Sequence, residues 1–561
     1  MLKPLERDKH NHFSTLDIET APSGDMLVGG LFNGEDYNLF RSWEDFITFI
    51  KANGNQKCYQ KIVAHNGGAF DYVSLVEYLI KTDIKFEAIL SGSKIIMLVI
   101  FIGKHKIKFL DSYLVLLQSL AKVSDTFELG DEGKGVIDYK NIDKIFKTSP
   151  DIVINHLKKD LSALYLACNK FMEFIKIDFF PVTISSLSMY IFRKRFLKES
   201  FLKIEDKMID DFMTRGYSGG RVEVFKAGVH KKIWCYDINS LYPFIMQSKP
   251  VPLGSPIWTS NFITDKLGFY EVEFEQYDKT IPPVLWQKTP ERGLEFVYQG
   301  QGVFYSEELN ALRSTGGSFK VTRRGGYCFP FSKILFKEFI NYYYQIRQEN
   351  KGGKNYIAKI LMNSLYGKFG EREEKEKLVI LNGEDLQKKI KEGKEIKLYM
   401  PEYNLFIEKQ TRSIPHRQIQ IAASITANAR LELYKYLKEY ARHVVYCDTD
   451  SLHLNIPLAA RYIGLRLGQF KFEGHNEGLY LGRKQYCFGD KIKFKGVAIK
   501  SLCGNKLDKK DLQSINKNGK VNYEYAIFPK LKSVLKGLKA CALTPVKKEL
   551  TKGKYLTNYG R

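Results

Sequence analysis

The segment Tyr446-Cys447-Asp448-Thr449-Asp450-Ser451 constrains this chain more than any other. The apolar pair Val444-Val445 precedes it and the alternating run Leu452-His453-Leu454 follows it, which predicts a β-hairpin with two carboxylates at its tip. Carboxylates one residue apart repel each other unless a cation lies between them. Divalent metal held for phosphoryl transfer is the usual reason to gather them. A solvated Asp-Thr-Asp turn is the bland alternative, so the rest of the chain decides.

With 561 residues the chain has room for several domains and a large core. Hydrophobic residues make up 44% and aromatics 14%, a globular composition that excludes a disordered chain. Lys and Arg total 87 against 63 Asp and Glu, giving a net charge of +24. A folded protein this basic most often meets a polyanion; a solubility surface is the other reading. Eight cysteines are scattered between Cys58 and Cys541 without a C-x-x-C pair. This argues against a zinc site or a disulfide framework and for a reducing compartment. No apolar run is long enough to span a membrane, and the first residues, Met1 to His12, are polar and carry no visible signal peptide.

Residues 1–180 alternate strands and helices, as an α/β nuclease-like domain would. Strands are predicted over 13–18, 62–65, 95–102 and 107–110, and helices over 43–52, 73–81 and 156–175, with a boundary at Phe180-Pro181. Residues 233–236 form an apolar strand ending at Asp237, and a strand- and proline-rich stretch runs over 250–330. Helices over 334–347 and 354–366, joined at Gly352-Gly353, form an αα-hairpin that Gly367 is placed to end. Residues 371–413 read as charged and irregular, with a solvated helix over 385–397, and residues 501–561 are dense in lysine.

Three stations then point to one chemistry. Asp237 closes a buried strand and is followed by Ile238-Asn239-Ser240-Leu241-Tyr242-Pro243. Lys359, Asn363 and Tyr366, spaced i, i+4, i+7, share one helix face. The third station is the Asp448-Asp450 tip. Phosphoryl transfer from a nucleotide needs carboxylates to hold two divalent ions and cations to neutralise the triphosphate. Asp237 and Asp450 are the predicted ligands, with Asp448 beside them. Lys359 would reach the phosphates, Tyr366 would offer a face to the base, and Tyr242 would block a 2′-hydroxyl and so select deoxynucleotides. Alone, Lys359 is an ordinary helix lysine and Tyr366 an ordinary core aromatic; their shared face beside two acid stations favours a site.

D-x-x-S-L-Y-P, K-x-x-x-N-S-L-Y-G and Y-C-D-T-D-S, in this order, resemble motifs A, B and C of the family B DNA polymerases, in their protein-primed branch (phi29-like phage and linear-plasmid type). Tyr217-Ser218-Gly219-Gly220 resembles the YxGG loop that links the two activities of that family and holds template. Thr426-Ala427-Asn428-Ala429-Arg430 resembles its T-x-x-G/A-R template-contact motif, and Lys484-Gln485-Tyr486 its KxY primer-strand motif. Arg347 matches a second triphosphate cation. The resemblance implies an α/β and α+β multidomain fold, an RNase H-like 3′–5′ exonuclease followed by a right-hand polymerase with two protein-priming insertions. The implied domains are exonuclease 1–180, palm 181–250 and 414–500, fingers 333–370 and thumb 501–561. Insertion 1, residues 251–332, would dock a terminal protein, and insertion 2, residues 371–413, would close a ring around DNA for processivity and strand displacement. Two Mg²⁺ or Mn²⁺ ions per active site, template-primer DNA, dNTPs and a terminal protein are the implied ligands and partners of a monomer that touches no membrane. Replication of a linear genome or plasmid is the implied task, in a host cytoplasm or a mitochondrion. Asp17 lies so near the start that the terminal protein is expected to be separate.

Asp17-Ile18-Glu19 follows a predicted strand; a lone D-x-E is weak. Together with Asp71 in His65-Asn66-Gly67-Gly68-Ala69-Phe70-Asp71, and with Asp160 early in a helix, it resembles the four acids of the DEDD 3′–5′ exonucleases, which bind two metals. By that resemblance Asn66 and Phe70 grip a frayed single strand, Ser112 binds it, Lys134 is catalytic and Tyr139 stacks on it. Two positions depart from the pattern. His156 stands where a tyrosine orients the attacking water, and Tyr113 stands where leucine is expected. An active but slower exonuclease is the expectation. A reverse transcriptase is the rival enzyme, but its hairpin carries adjacent aspartates, whereas Thr449 separates these two.

Overall fold

The computed structural model describes residues 12–290, 293–497, 499 and 506–553. The polar start of the chain, Cys503 and both ends of the predicted thumb lie outside the described residues. Two sheets carry the candidate sites.

The first sheet has ten strands, in the order Glu395–Met400, Leu405–Thr411, Glu374–Ile380, Phe86–Ser91, Lys94–Ile102, His105–Asp111, Lys61–Ala64, Ser14–Thr20, Met26–Phe32, Tyr37–Phe40. Lys61–Ala64 pairs in parallel with both neighbours, while the other pairings are antiparallel. Its middle strands are continuous apolar runs such as Ile62-Val63-Ala64, because helices cover them. The helix Pro150–Ile175 packs on Ser14–Thr20. It begins earlier than the expected 156, since Pro150 with its fixed φ suits the first helical turn. Asp160 is therefore in mid-helix, not near its start.

Residues 371–413 correct the expectation of an irregular segment. They form three strands and the helix Gly383–Lys391, capped by the Asn382 side chain accepting from Asp385 N. Glu374–Ile380 pairs antiparallel with Phe86–Ser91 and so extends the N-terminal sheet. Leu378 and Leu405 join the core of the N-terminal domain. Only the ends of these strands are apolar, which is why their charged sequence hid them. Residues 371–413, expected as insertion 2, thus share the sheet and core of the N-terminal residues.

The predicted thumb needs a similar correction. Lys520–Ile527 and Thr544–Thr551 form an antiparallel ribbon. The segment between them reaches the N-terminal domain, where Leu531, Val534, Leu535, Ala540 and Cys541 are buried in its core. Ala540 N donates to Glu77 Oε2 (3.0 Å), Leu543 N donates to Pro22 O (3.3 Å), and Lys539 pairs with Asp25.

The second sheet has seven strands, in the order Lys491–Phe494, Gln485–Phe488, Phe470–Gly482, Gly228–Ile238, Ser451–Leu454, Val444–Asp448, Val222–Val224. The αα-hairpin expected beside it is present as Lys337–Glu349 and Gly352–Phe369. The second helix runs past Gly367 because Leu361, Leu365 and Phe369 all reach the core from it, and Gly370 caps it instead. Insertion 1 holds a four-stranded sheet and the helix Ser306–Ser314, which packs on the long helix Ile419–Glu439. Every described cysteine is free. Among the described residues no helix is long and apolar enough to cross a membrane.

Candidate active sites

The acid hairpin forms as its pattern predicts. Val444–Asp448 and Ser451–Leu454 pair antiparallel with Asp448 opposite Ser451, leaving Thr449 and Asp450 as a two-residue turn. Thr449 sits at φ 66°, a region β-branched residues rarely adopt. The turn is held from outside, since Thr449 N donates to Arg221 O (2.7 Å). Asp237 lies on the adjacent strand, in register with Ser451. Burial first, then the Asp450 carboxylate, pushes Asp237 up to about 7. Burial raises Asp450 as well. The charge of Lys359, on the helix Gly352–Phe369, lowers both.

Asp448 behaves differently. Lys484 Nζ donates to both of its oxygens (2.9 and 3.1 Å) and Lys493 Nζ to one (2.9 Å). Burial pushes its carboxyl up, but the two ammonium groups outweigh burial and hold it below the usual range. Asp448 is a neutralised partner and Asp450 the carboxylate left with an unmet charge. Lys484, expected on the primer strand, is committed to Asp448, and Tyr486 packs against Tyr446 and Tyr480. Tyr242 and Tyr366 stack at 4.5 Å and 15° above this floor. Arg347 Nη1 donates to Ser240 Oγ (2.6 Å), and Asn363 Nδ2 donates to Lys359 O (3.0 Å) within its helix.

The loop of Tyr217, Gly219 and Gly220 abuts the same turn. A Cβ on Gly220 would stand 2.7 Å from Thr449 Cγ2, so only glycine allows that approach. Thr426 and Arg430, expected to touch template, do not reach the surface. Both are buried in Ile419–Glu439, and Arg430 pairs with Glu308 (2.8 Å). A guanidinium so enclosed organises protein around it in this structure.

In the N-terminal domain, Asp17 and Glu19 alternate on Ser14–Thr20 and share one face. Asp71 opens the helix Asp71–Leu79. Asp160 Oδ2 receives Lys134 Nζ (2.5 Å) and its Oδ1 receives Gly135 N (2.7 Å). Burial raises Asp17 to about 7 and Glu19 to about 9, with neighbouring carboxylates adding to it, and Asp71 rises in the same way. Burial pushes Lys134 down, but Asp160 outweighs it and the ammonium stays charged. His156 Nε2 lies 3.3 Å from Glu19 Oε1 and 3.1 Å from the Tyr139 hydroxyl. Its ring is fixed by a near approach to Gly135, where a Cβ would stand 2.4 Å from Nδ1. The histidine therefore presents a nitrogen beside the acids, where the family pattern has a hydroxyl.

A cavity of about 650 Å³ opens on this site, lined by Asp17, Glu19, Phe70, Tyr139, Asp160 and, from the thumb, Phe528. Phe70 and Phe528 meet edge to face at 5.0 Å. Asn66, at φ 64°, holds Lys94 Nζ at 3.4 Å. Ser112, expected to bind the strand, is fully buried here, with its hydroxyl on Ala64 O (3.1 Å) and His65 Nδ1 (2.9 Å).

Both acid sets suit hard divalent cations. They offer oxygen donors, Asp17 and Asp237 are raised first by burial and then by a neighbouring carboxylate, and buried Asp71 Oδ1 finds no hydrogen-bond partner among the described residues. Among those residues no three His, Cys, Asp or Glu groups are already gathered tightly enough to hold an ion; Lys134 stands on Asp160 instead.

The family described as "DNA polymerase type B, organellar and viral" matches residues 55–153 and 150–443. The chain belongs to this family. It is 28% identical over 511 residues to the DNA-directed DNA polymerase of Enterobacteria phage PRD1, covering 87% of this chain and 85% of that one. It is 28% identical over 551 residues to a probable DNA polymerase of Ascobolus immersus, covering 84% of this chain and 45% of that one. The chain spans about half the length of such fungal relatives, 51% for that of Neurospora intermedia. Its fold is similar to that of Phi29 DNA polymerase complexed with primer-template DNA and incoming nucleotide substrates, with a TM-score of 0.75 at 21% identity, covering 97% of this chain and 100% of that one.

Several residues of this type B polymerase fold escaped the sequence. Lys493, Asp111, Phe528 and Glu308 sit in no recognisable motif. Asp111 accepts from Asn66 N (2.8 Å) and Tyr113 N (2.9 Å) and so shapes the loop before Asp71. Its strand-end position beside Ser112 was the one available signal.

Proposed function

We propose that this chain is a DNA-directed DNA polymerase with a 3′–5′ proofreading exonuclease, copying linear DNA from a protein primer. One observation carries the polymerase reading: Asp237 and Asp450, both raised first by burial and then by a neighbouring carboxylate, meet at one end of the sheet, where both feel the charge of Lys359. Asp237 and Asp450 would hold Mg²⁺ or Mn²⁺ here, and Asp17, Glu19, Asp71 and Asp160 would hold it in the second site. Bound ions in such sites activate the attacking oxygen and neutralise the leaving group. Lys359 and Arg347 orient the triphosphate, Tyr366 receives the base, and Tyr242 closes the space a 2′-hydroxyl would need. In the nuclease site Phe70 and Tyr139 hold the frayed end by stacking, and Lys134 keeps a positive charge beside the scissile phosphate. The terminal protein, dNTPs and template-primer DNA are the proposed partners. The organellar and viral scope of the family supports a host cytoplasm or a mitochondrion as the place of action.

The test is primer extension with Mg²⁺ on a primed DNA template. Asp450→Asn is expected to lower synthesis by at least about a thousandfold while single-strand degradation continues. Wild-type protein that adds no nucleotide sinks the reading.

A further inference from the structure

Three consecutive carbonyls of the loop before the strand Val222–Val224, those of Tyr217, Ser218 and Gly219, accept hydrogen bonds from side chains. Lys288 Nζ, from insertion 1, donates to Tyr217 O (2.5 Å). Arg430 Nη1 donates to Ser218 O (2.7 Å) and to Gly219 O (3.0 Å). Arg430 in turn is fixed by insertion 1. Glu308 Oε1 accepts from its Nε (3.1 Å) and Nη2 (2.8 Å), and also from Trp286 Nε1 (3.2 Å); Glu308 Oε2 accepts from Tyr305 N (3.3 Å). Glu308 is 1% exposed and Arg430 3%.

We propose that Glu308 is a positioning residue for the Tyr217–Gly220 loop, so that insertion 1 sets where this loop sits against the catalytic turn. The proposal rests on the polymerase and exonuclease reading above. A buried carboxylate that takes both Nε and Nη2 leaves a guanidinium one orientation, with its remaining Nη1 aimed at the loop. The loop has no strand or helix of its own to hold it. Its next residues bear directly on the acid hairpin, through the close approach of Gly220 to Thr449 and the bond from Thr449 N to Arg221 O. Arg221 is tied to insertion 1 as well, since its Nη1 donates to Pro283 O (2.8 Å) and its guanidinium lies 3.9 Å from the Phe296 ring. Movement of the helix Ser306–Ser314 therefore reaches the loop through two side chains, and the acid turn through one more step.

Glu308→Gln keeps the shape and removes the charge that orients Arg430. Hydrogen exchange over segments 215–224 and 446–452 is expected to quicken roughly tenfold in this variant, with segment 14–20 unchanged. On primer-template DNA, the dNTP concentration at which synthesis overtakes degradation is expected to rise roughly tenfold, while degradation of single-stranded DNA keeps its wild-type rate. Lys288→Met, at an exposed side chain, is expected to shift both readouts the same way by about threefold, and it decides the matter if Glu308→Gln folds poorly. Wild-type exchange in the variants overturns the positioning role, and so does a wild-type balance point. Wild-type protein that fails to extend primers refutes the polymerase reading, while the exchange result still decides Glu308.

Discussion

Asp17 and Asp237 are pushed up to about 7 and Glu19 to about 9, first by burial and then by neighbouring carboxylates. The folded protein therefore holds these protons more tightly than the unfolded chain does. The stability they lend is present at acid pH and is lost as pH rises through about 7 to about 9. In chelator, the thermal midpoint should fall between about pH 5 and about pH 9, and Mg²⁺ should remove much of that fall. A midpoint independent of pH in chelator would count against this picture. His156 makes a second residue-scale prediction. His156→Phe removes the nitrogen beside Glu19 and should slow single-strand degradation by roughly tenfold to a hundredfold, with primer extension intact. His156→Tyr should restore little, because the near approach to Gly135 leaves the ring no room to retreat from Glu19; a nuclease faster than wild type would refute this. The acids were singled out in the sequence by motif order and family resemblance, not by spacing alone, and the stacking of Tyr242 on Tyr366 appears only in the fold. The partners of Asp448 were not. Lys484 read as a primer contact and Lys493 carried no signal at all, and only the fold turns both toward one carboxylate.

Elements were legible wherever apolar spacing was regular. The acid hairpin and the finger helices stand where their periodicity puts them, because each buries one face. Residues 371–413 were illegible because Glu374–Ile380 buries only Leu378 and Val379, leaving too short an alternation to read as a strand. Pairing with Phe86–Ser91, far away in sequence, is what makes it one. The meeting of the Tyr217–Gly220 loop with the acid turn yields a prediction at this scale. Gly220→Ala puts a methyl group into Thr449 and should displace the turn, slowing primer extension by about tenfold or more while single-strand degradation holds. Equal extension by the variant would mean that the turn tolerates the shift.

At the scale of the whole molecule, the interlocking of distant segments was not legible in the sequence. Ala540 bonds to Glu77 across 463 residues of chain, and no local pattern announces such a contact. Leu531→Ala, at a fully buried position in the N-terminal core, should lower stability by about 2–5 kcal/mol. Because that residue belongs to the thumb by sequence and to the nuclease by packing, loss of single-strand degradation on heating should precede loss of primer extension. Activity decay followed at matched temperatures checks this, and reversed order would overturn it.

The burial of residues 531–541 among side chains of residues 16–109 also bears on synthesis at the ribosome. Domains generally form as they emerge, the N-terminal one first. Here the N-terminal domain lacks Leu378, Leu405 and residues 531–541 from its interior as it emerges, so part of its apolar core stays open until Cys541 has been made. Completion of that core therefore waits on a segment made more than four hundred residues after the strands it covers.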